Sequence, residues 1–332
     1  MIKRRSVIAG AAGWTIVGAS SVRAQAWPSQ QIKIVVPYVP GGGNTTGGKA
    51  NTAARLLAEN LTPLVGQQVI VENRGHIYDT TIIGTELVAR SKPDGYTLLL
   101  GTTTLATNVA LGLKQPYDPL KDFQPVTTLA DMPHFIAVNK DLPVNDYKEF
   151  ADWVNKQPQK VRYATSGLGN QPHLWAELFR SRNKLNLENI AYKGAADALR
   201  DVMGAHVPIV IDVVMPAGVH AAQGRLKGII VSSEKRSPVC PDVPTVVELG
   251  MPDMVSAVFF GVVAPAGVPR PALDKLNGLI RQVIKQPDVE KKFADLGYVT
   301  TGSTPEEYHA KLKFETERWT KVVKDNNIKV EG

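Results

Sequence analysis

Apolar positions along the chain fall in short blocks separated by amphipathic stretches, and the two kinds alternate. Ile32 to Val36 is an apolar-rich run of strand length. Ala53 to Leu64 then sets Ala54, Leu57, Ala58 and Leu61 at helical spacing with charges between them. Gln67 to Glu72 reads as the next strand and Thr85 to Arg90 as the next helix. Tyr96 to Leu100 follows as a strand introduced by the turn Pro93-Asp94-Gly95. Strand then helix, repeated, predicts a parallel sheet covered by helices.

The rhythm restarts in mid-chain. Phe135 to Val138, Val161 to Ala164, Asn189 to Ala191 and Val207 to Val213 read as strands. Tyr147 to Lys156, Trp175 to Ser181 and Ala195 to Met203 read as the helices between them. Two α/β units in one chain predict two domains. The prolines of SPVCPDVPTVVE and APAGVPRPALDKL end one element and open a helix at its first turn, where a missing N–H costs nothing. From Pro305 the pattern predicts a long amphipathic helix, with Thr304 as N-cap and Glu307 at capping-box spacing.

The N-terminus belongs to neither unit. Lys3, Arg4 and Arg5 precede an apolar run from Val7 to Ala19 and small residues around Ala24 and Ala26, which predicts a secretory signal peptide over residues 1–26 cleaved after Ala24 or Ala26. The run is too short and too rich in Gly and Ala for a membrane span. The Arg4-Arg5 pair also fits the twin-arginine route, but a charged n-region needs no more than ordinary Sec export. Removing residues 1–24 takes Lys3, Arg4, Arg5 and Arg23 with no acid, so the formal charge of +7 falls by four. A nearly neutral chain without a basic, aromatic-interleaved run gives little support for nucleic-acid binding, and none is expected as a partner. Roughly 300 residues remain, enough for two cores. The single cysteine, Cys240, forms no internal disulfide and reads as a packing residue.

Candidate chemistry gathers at strand ends. After Ile32 to Val36 comes PYVPGGGNTTGGK, which resembles two phosphate loops and satisfies neither. Gly47-Gly48-Lys49 is followed by Ala50, which lacks the hydroxyl a Walker loop needs for magnesium. Gly41-x-Gly43-x-x-Thr46 lacks the third glycine of a dinucleotide fingerprint. The better reading is a strand-to-helix loop whose N–H groups and the side chains of Asn44, Thr45 and Thr46 face an anion. Gly101 to Thr104, Thr165 to Gln171 with His173 beyond, and Tyr192 to Ala196 occupy equivalent strand ends. In a parallel sheet such loops converge on one crevice. For an enzyme, Ser166 and His173 would be the pair of an exported ester or amide hydrolase, although the glycine that G-x-S-x-G puts before the serine is missing. The histidines show no zinc-ligand spacing.

Over nearly its whole mature length the chain also resembles a known family. VPYVPGGG, VIVENR, SKPDGYTLLLGT, YDPLKDFQPVTTLA, RYATSGLGNQPHL, IAYKGAADALRDVMG, SSEKRSPVCPDVPTVVELG and VVAPAGVP look like the motif series of the Bug family, the extracytoplasmic solute-binding proteins of tripartite tricarboxylate transporters. The resemblance implies an α/β, two-domain periplasmic binding protein of the type II Venus-flytrap kind, each domain a mostly parallel sheet flanked by helices, with two crossover strands. Domain 1 would comprise residues 27–127 and 233–310, domain 2 residues 128–232, and residues 311–332 a helix packed across both. It implies a periplasmic monomer without catalysis, metal or cofactor, capturing a small organic carboxylate, aliphatic dicarboxylate or aromatic, for membrane transporter subunits. A ligand-presenting role for a signalling partner fits the same sequence.

The ligand residues implied by that resemblance, together with the strand-end reading, are Gly42, Gly43, Asn44, Thr45 and Thr46 in the first loop, then Thr102 and Thr103. The second domain adds Ser166, Gly167, Gly169, Asn170, Gln171, His173, Gly194, Ala195, Ala196 and Asp212. Two loops depart from the family pattern. Asn44 to Ala50 is additional, and where the family reads Pro-Gly-Ala-Gly-Gly-Asn-Ile-Gly this chain has Gly75 to Gly84 without the glycine run. β-Branched Thr81, Ile82 and Ile83 resist the positive φ that glycine allows. The bulk of His76, Ile77 and Tyr78, with Thr80 beside them, predicts a pocket wall, and Phe135, Trp175 and Phe260 are further apolar candidates.

Overall fold

The structure is a computed structural model, and it describes residues 27–39, 46–75 and 81–330. The expected signal peptide therefore lies outside the described residues, as do Gly42, Gly43, Asn44, Thr45, His76, Ile77, Tyr78 and Thr80, and the side chain of Thr46. Among the described residues no helix is long and apolar enough to cross a membrane.

The first unit runs β1 (Ile32–Val36), α1 (Thr46–Val65), β2 (Val69–Asn73), α2 (Ile82–Ala89), β3 (Thr97–Thr102) and α3 (Thr104–Ala110). The long β4 (Phe123–Asn139) leads to α4 (Tyr147–Lys156), β5 (Val161–Thr165), α5 (Gln171–Arg182), β6 (Leu187–Ala191), α6 (Ala195–Met203), β7 (Ile209–Val213), α7 (Val214–Ala222) and β8 (Leu226–Val231). The chain returns through β9 (Ala257–Pro265), α8 (Arg270–Ile284), α9 (Pro287–Asp295), β10 (Val299–Thr300) and α10 (Pro305–Asp325). The strands follow the order β2-β1-β3-β9-β4-β7-β5-β6, with β8 and β10 also on β4. Pairing is parallel within β2-β1-β3 and within β7-β5-β6, and antiparallel wherever β4 or β9 takes part. This is the two-domain α/β fold expected: two parallel sheets flanked by helices and joined by crossover strands.

β4 is the main crossing. It pairs with β9 from Phe123 to Pro133 and with β7 from His134 to Val138. Pro125 sits at a shift in register, and Pro133 is the last residue paired with β9 before the partner changes. Both are places where a missing N–H is tolerated. The first crossing is thus at Pro133-His134, later than the boundary expected after residue 127. The second boundary also moves. Residues 233–256, assigned to the first domain by sequence, pack on the second: Val246, Met251 and Met254 are buried with Trp175 and Phe179, and the Trp175 indole donates to the Met254 carbonyl at 2.9 Å. The chain re-crosses at Ser256-Ala257, where Ser256 donates to the Ser232 carbonyl at 3.0 Å and Ser232 to the His134 carbonyl at 2.9 Å.

α10 begins with the expected capping box, Thr304 accepting from the Glu307 N–H while Glu307 accepts from the Thr304 N–H. Its Tyr308 and Leu312 are buried with Phe259 and Val263 of the first half, and its Trp319 and Val322 with Phe179 and Ile230 of the second.

Candidate functional site

The C-terminal ends of β1 and β3 carry a chain of hydroxyls. Tyr38 bonds Thr102 at 3.1 Å, Thr102 bonds Thr104 at 2.8 Å, and Thr104 bonds Thr81 at 2.9 Å. A hydroxyl can donate or accept, so the direction of the chain can reverse to suit what reaches its end. Burial raises the Tyr38 phenol above its ordinary value, keeping it neutral. Thr81 precedes α2 with φ 76, so this β-branched residue does adopt the conformation that sequence argued against, while Ile82 and Ile83 are helical. The cost, about 1–2 kcal/mol, is set against the Thr104 bond and the Thr85 hydroxyl bonded to the Thr81 carbonyl.

α1 starts at Thr46, earlier than the helix expected from Ala53, and takes up Gly47, Gly48, Lys49 and Ala50 of the additional segment. Gly47 fits because a Cβ there would stand 3.1 Å from the Tyr38 Cβ and 3.3 Å from its ring. Lys49 is 7 % exposed. Its ammonium reaches across to the second half, donating to the Met215 carbonyl at 3.1 Å and touching the Met132 sulfur at 3.6 Å. Burial pulls its pKa down to about 8, opposed by the field of Asp212.

The second half is arranged differently. Asp212, at the end of β7, accepts from the Ser166 N–H at 2.8 Å and from the Val213 N–H at 2.7 Å. Burial raises its pKa, and the Ser166 hydroxyl, these two N–H groups and the field of Lys49 lower it in part. Asn170 caps α5 by accepting from the His173 N–H at 3.0 Å, and its amide donates to the Ser166 hydroxyl at 3.0 Å. The His173 ring accepts from the Gly169 N–H at 3.0 Å, and burial lowers its pKa so that it stays neutral and keeps that lone pair. Gly169 takes φ 74 to close this turn.

The structure brings Ser166, Gly167, Gly169, Asn170, His173 and Asp212 into one turn, and Thr102 and Thr103 beside Tyr38 in the other half. Ser166 and His173 are not bonded to each other, each being engaged as described. Gln171 is turned away: its amide donates to the Ala257 carbonyl at 3.0 Å, tying α5 to the returning strand. Gly194 precedes α6 without a side-chain cap, with Ala195 partly buried and Ala196 exposed. The aromatic candidates are corrected: Phe135, Trp175 and Phe260 are completely buried, Trp175 stacked on His134 with ring centroids at 5.2 Å and Phe260 tilted against Tyr298 at 4.9 Å, so they are core and not pocket wall. Thr104 belongs to the strand-end loop Gly101 to Thr104 that the sequence places at the crevice, whereas Tyr38, Thr81 and Lys49 are site residues that the sequence reading lacks. Lys49 was visible only as the lysine of a failed nucleotide motif, and the Tyr38 side chain follows a proline at a strand end, a pattern without periodicity. Among the described residues no group of three or more His, Cys, Asp or Glu is gathered to hold a metal. Hydroxyls, loop N–H groups and one cation make up a surface suited to an anion.

A family model described as "Tripartite tricarboxylate transporter family receptor" matches residues 53–328. Protein BugT of Bordetella pertussis (strain Tohama I) is 32 % identical over 94 % of this chain and 94 % of its own. Among solved structures, an R. palustris protein with adipate is 30 % identical at a TM-score of 0.74, covering 91 % of this chain and 99 % of its own. MatC from Rhodopseudomonas palustris with bound malate is 30 % identical at 0.69, covering 90 % and 100 %.

Proposed function

The chain belongs to the tripartite tricarboxylate transporter receptor family of Bug-type solute-binding proteins, and from that premise we propose that it captures a small organic carboxylate in the periplasm and delivers it to membrane transporter subunits. The observation that carries this reading is the pair of donor sets at the strand ends: the Tyr38, Thr102, Thr104 and Thr81 hydroxyls of one half and the Ser166 to Asn170 turn of the other. Uncharged donors whose heavy atoms are in place before the ligand arrives take a carboxylate by little more than turning their hydrogens, and waters can complete the grip. The malate and adipate held by relatives lend it chemical class. Rotation of the halves about the two crossings would report occupancy to the membrane subunits.

A thermal-shift screen of aliphatic and aromatic mono- and dicarboxylates tests the reading. A ligand at a hundred times its Kd adds about 2.7 kcal/mol and shifts the transition upward. An unmoved transition across the whole panel would overturn it.

A further inference from the structure

Lys49 is more than nine-tenths buried, and the partners of its ammonium are a carbonyl and a thioether. An ammonium has three protons to place, sulfur is a weak acceptor, and a buried cation is costly unless an anion answers it. Among the described residues no carboxylate lies within 4.0 Å of it. Asp212 acts on it only through its field, since both Asp212 oxygens are engaged by the N–H groups of Ser166 and Val213. Among the described residues the charge is therefore present without a counter-charge in contact.

Its position says where that counter-charge comes from. α1 brings Lys49 from the first half, β4 brings Met132 from the crossing, and Met215 lies just past the end of β7 in the second half. The ammonium thus stands where the halves meet, one turn into the helix that continues the glycine-rich loop and a few residues from the support of the Ser166 turn. An anion placed there touches both halves at once.

We propose that Lys49 is the counter-charge for a carboxylate of the captured ligand, which takes the place at the ammonium now held by the Met215 carbonyl. The proposal rests on the reading of the protein as a carboxylate receptor and adds a charged subsite to its neutral donors. Among the described residues Asp212, on β7, is the titratable group whose charge acts on Lys49; the other neighbours, Met132 of β4 and Met215 of α7, are uncharged.

The test is calorimetric titration of the whole mature protein with malate, succinate, adipate and benzoate, for the wild type, Lys49→Met and Lys49→Arg. Lys49→Met, of similar length and apolar, is expected to fold with an unfolding temperature at or above the wild type and to lose about tenfold to hundredfold in affinity. Lys49→Arg is expected to retain part of it. Titrations at pH 8.5 in two buffers of different ionisation enthalpy should show proton uptake on binding by the wild type and none by Lys49→Met, because a carboxylate holds the ammonium protonated. A lysine that only clamps the halves through Met215 would lower affinity without that proton signal, which would overturn the proposal. Equal affinity in wild type and Lys49→Met would overturn it and leave the receptor reading standing. Failure of every protein to bind any of these acids, where the wider thermal screen finds none either, would overturn both.

Discussion

The two halves carry opposite chemistry at their strand ends. In the second, a buried carboxylate, a capping amide and a neutral imidazole fix one short turn, each bonded to a specific N–H. In the first, neutral hydroxyls bond to one another in a chain, and Thr81 and Thr103, which precede α2 and α3, do not cap those helices with their side chains. One wall is set in advance and the other can turn its hydrogens round. A receptor that must recognise one functional group on ligands of differing length gains from both, since a rigid anchor fixes register and an adaptable wall tolerates variation in the remainder of the ligand.

The contrast breaks most severely where the halves touch. Gly297, at φ 82 between α9 and β10, leaves no room for a Cβ, which would lie 2.0 Å from Met215 Cγ. Gly297→Ala is expected to cost about 2–5 kcal/mol from overpacking and left-handed backbone strain, seen as a lower unfolding temperature and a larger radius of gyration in solution scattering. Adding Met215→Ala should recover the steric share and leave about 1 kcal/mol of backbone cost.

Loosening only the fixed wall comes next. Asp212→Ala strips the acceptor from two N–H groups and should cost about 3 kcal/mol, with faster amide exchange at Ser166 and Gly169. Amides of the first half should be unchanged. If they speed up equally, the walls are not independently built.

The junction between the halves carries its own pH signature. His134 is buried against Trp175, and desolvation presses its pKa down to about 3. As pH falls below 6.5 the unfolded chain takes up a proton at this site while the folded one does not. Stability should therefore fall by about 1.4 kcal/mol per pH unit from 6.5 toward 3 on account of this group. In Lys49 the same physics runs at the alkaline end: between about 8 and 10.5 the unfolded chain holds the extra proton, so stability rises with pH through that window. Urea titrations across both ranges, with His134→Gln and Lys49→Met each removing one slope, check the two signs. The smallest effect belongs to the adaptable wall: Tyr38→Phe should cost about 0.5–1.5 kcal/mol or less, because Thr102 still has Thr104 as partner.

Much of the frame was legible because local and global preferences agree. Ile32–Val36, Tyr147–Lys156 and Ala195–Met203 have the bounds their periodicity predicts, and Thr304 with Glu307 marked the start of α10. β4 was legible only over Phe135 to Val138. Pro125 and Pro133 would ordinarily interrupt a ladder, yet a bulge and a change of partner let one 17-residue strand run past both. The domain limits slipped for the same reason, since which half claims residues 233–256 depends on Trp175 and Met254 meeting across a long loop. Within the site, small hydroxyl and glycine loops at strand ends were readable from residue type. The core aromatics were not, because Phe135, Trp175 and Phe260 differ from pocket residues only in the neighbours that cover them. Lys49 escaped because its meaning lies in its distance from the carboxylates of the described residues, and a sequence does not show distance.

α10 sets the kind of motion the molecule can make. Its 21 residues span about 30 Å as a straight rod, bedded by Tyr308 and Leu312 in one half and by Trp319 and Val322 in the other. A helix clamped at both ends resists bending but permits the bodies it joins to twist about its length. Capture and release should then resemble a turn of the wrist along this splint, and a spectroscopic ruler aligned with the rod would register little change while one set across it would register most of the stroke.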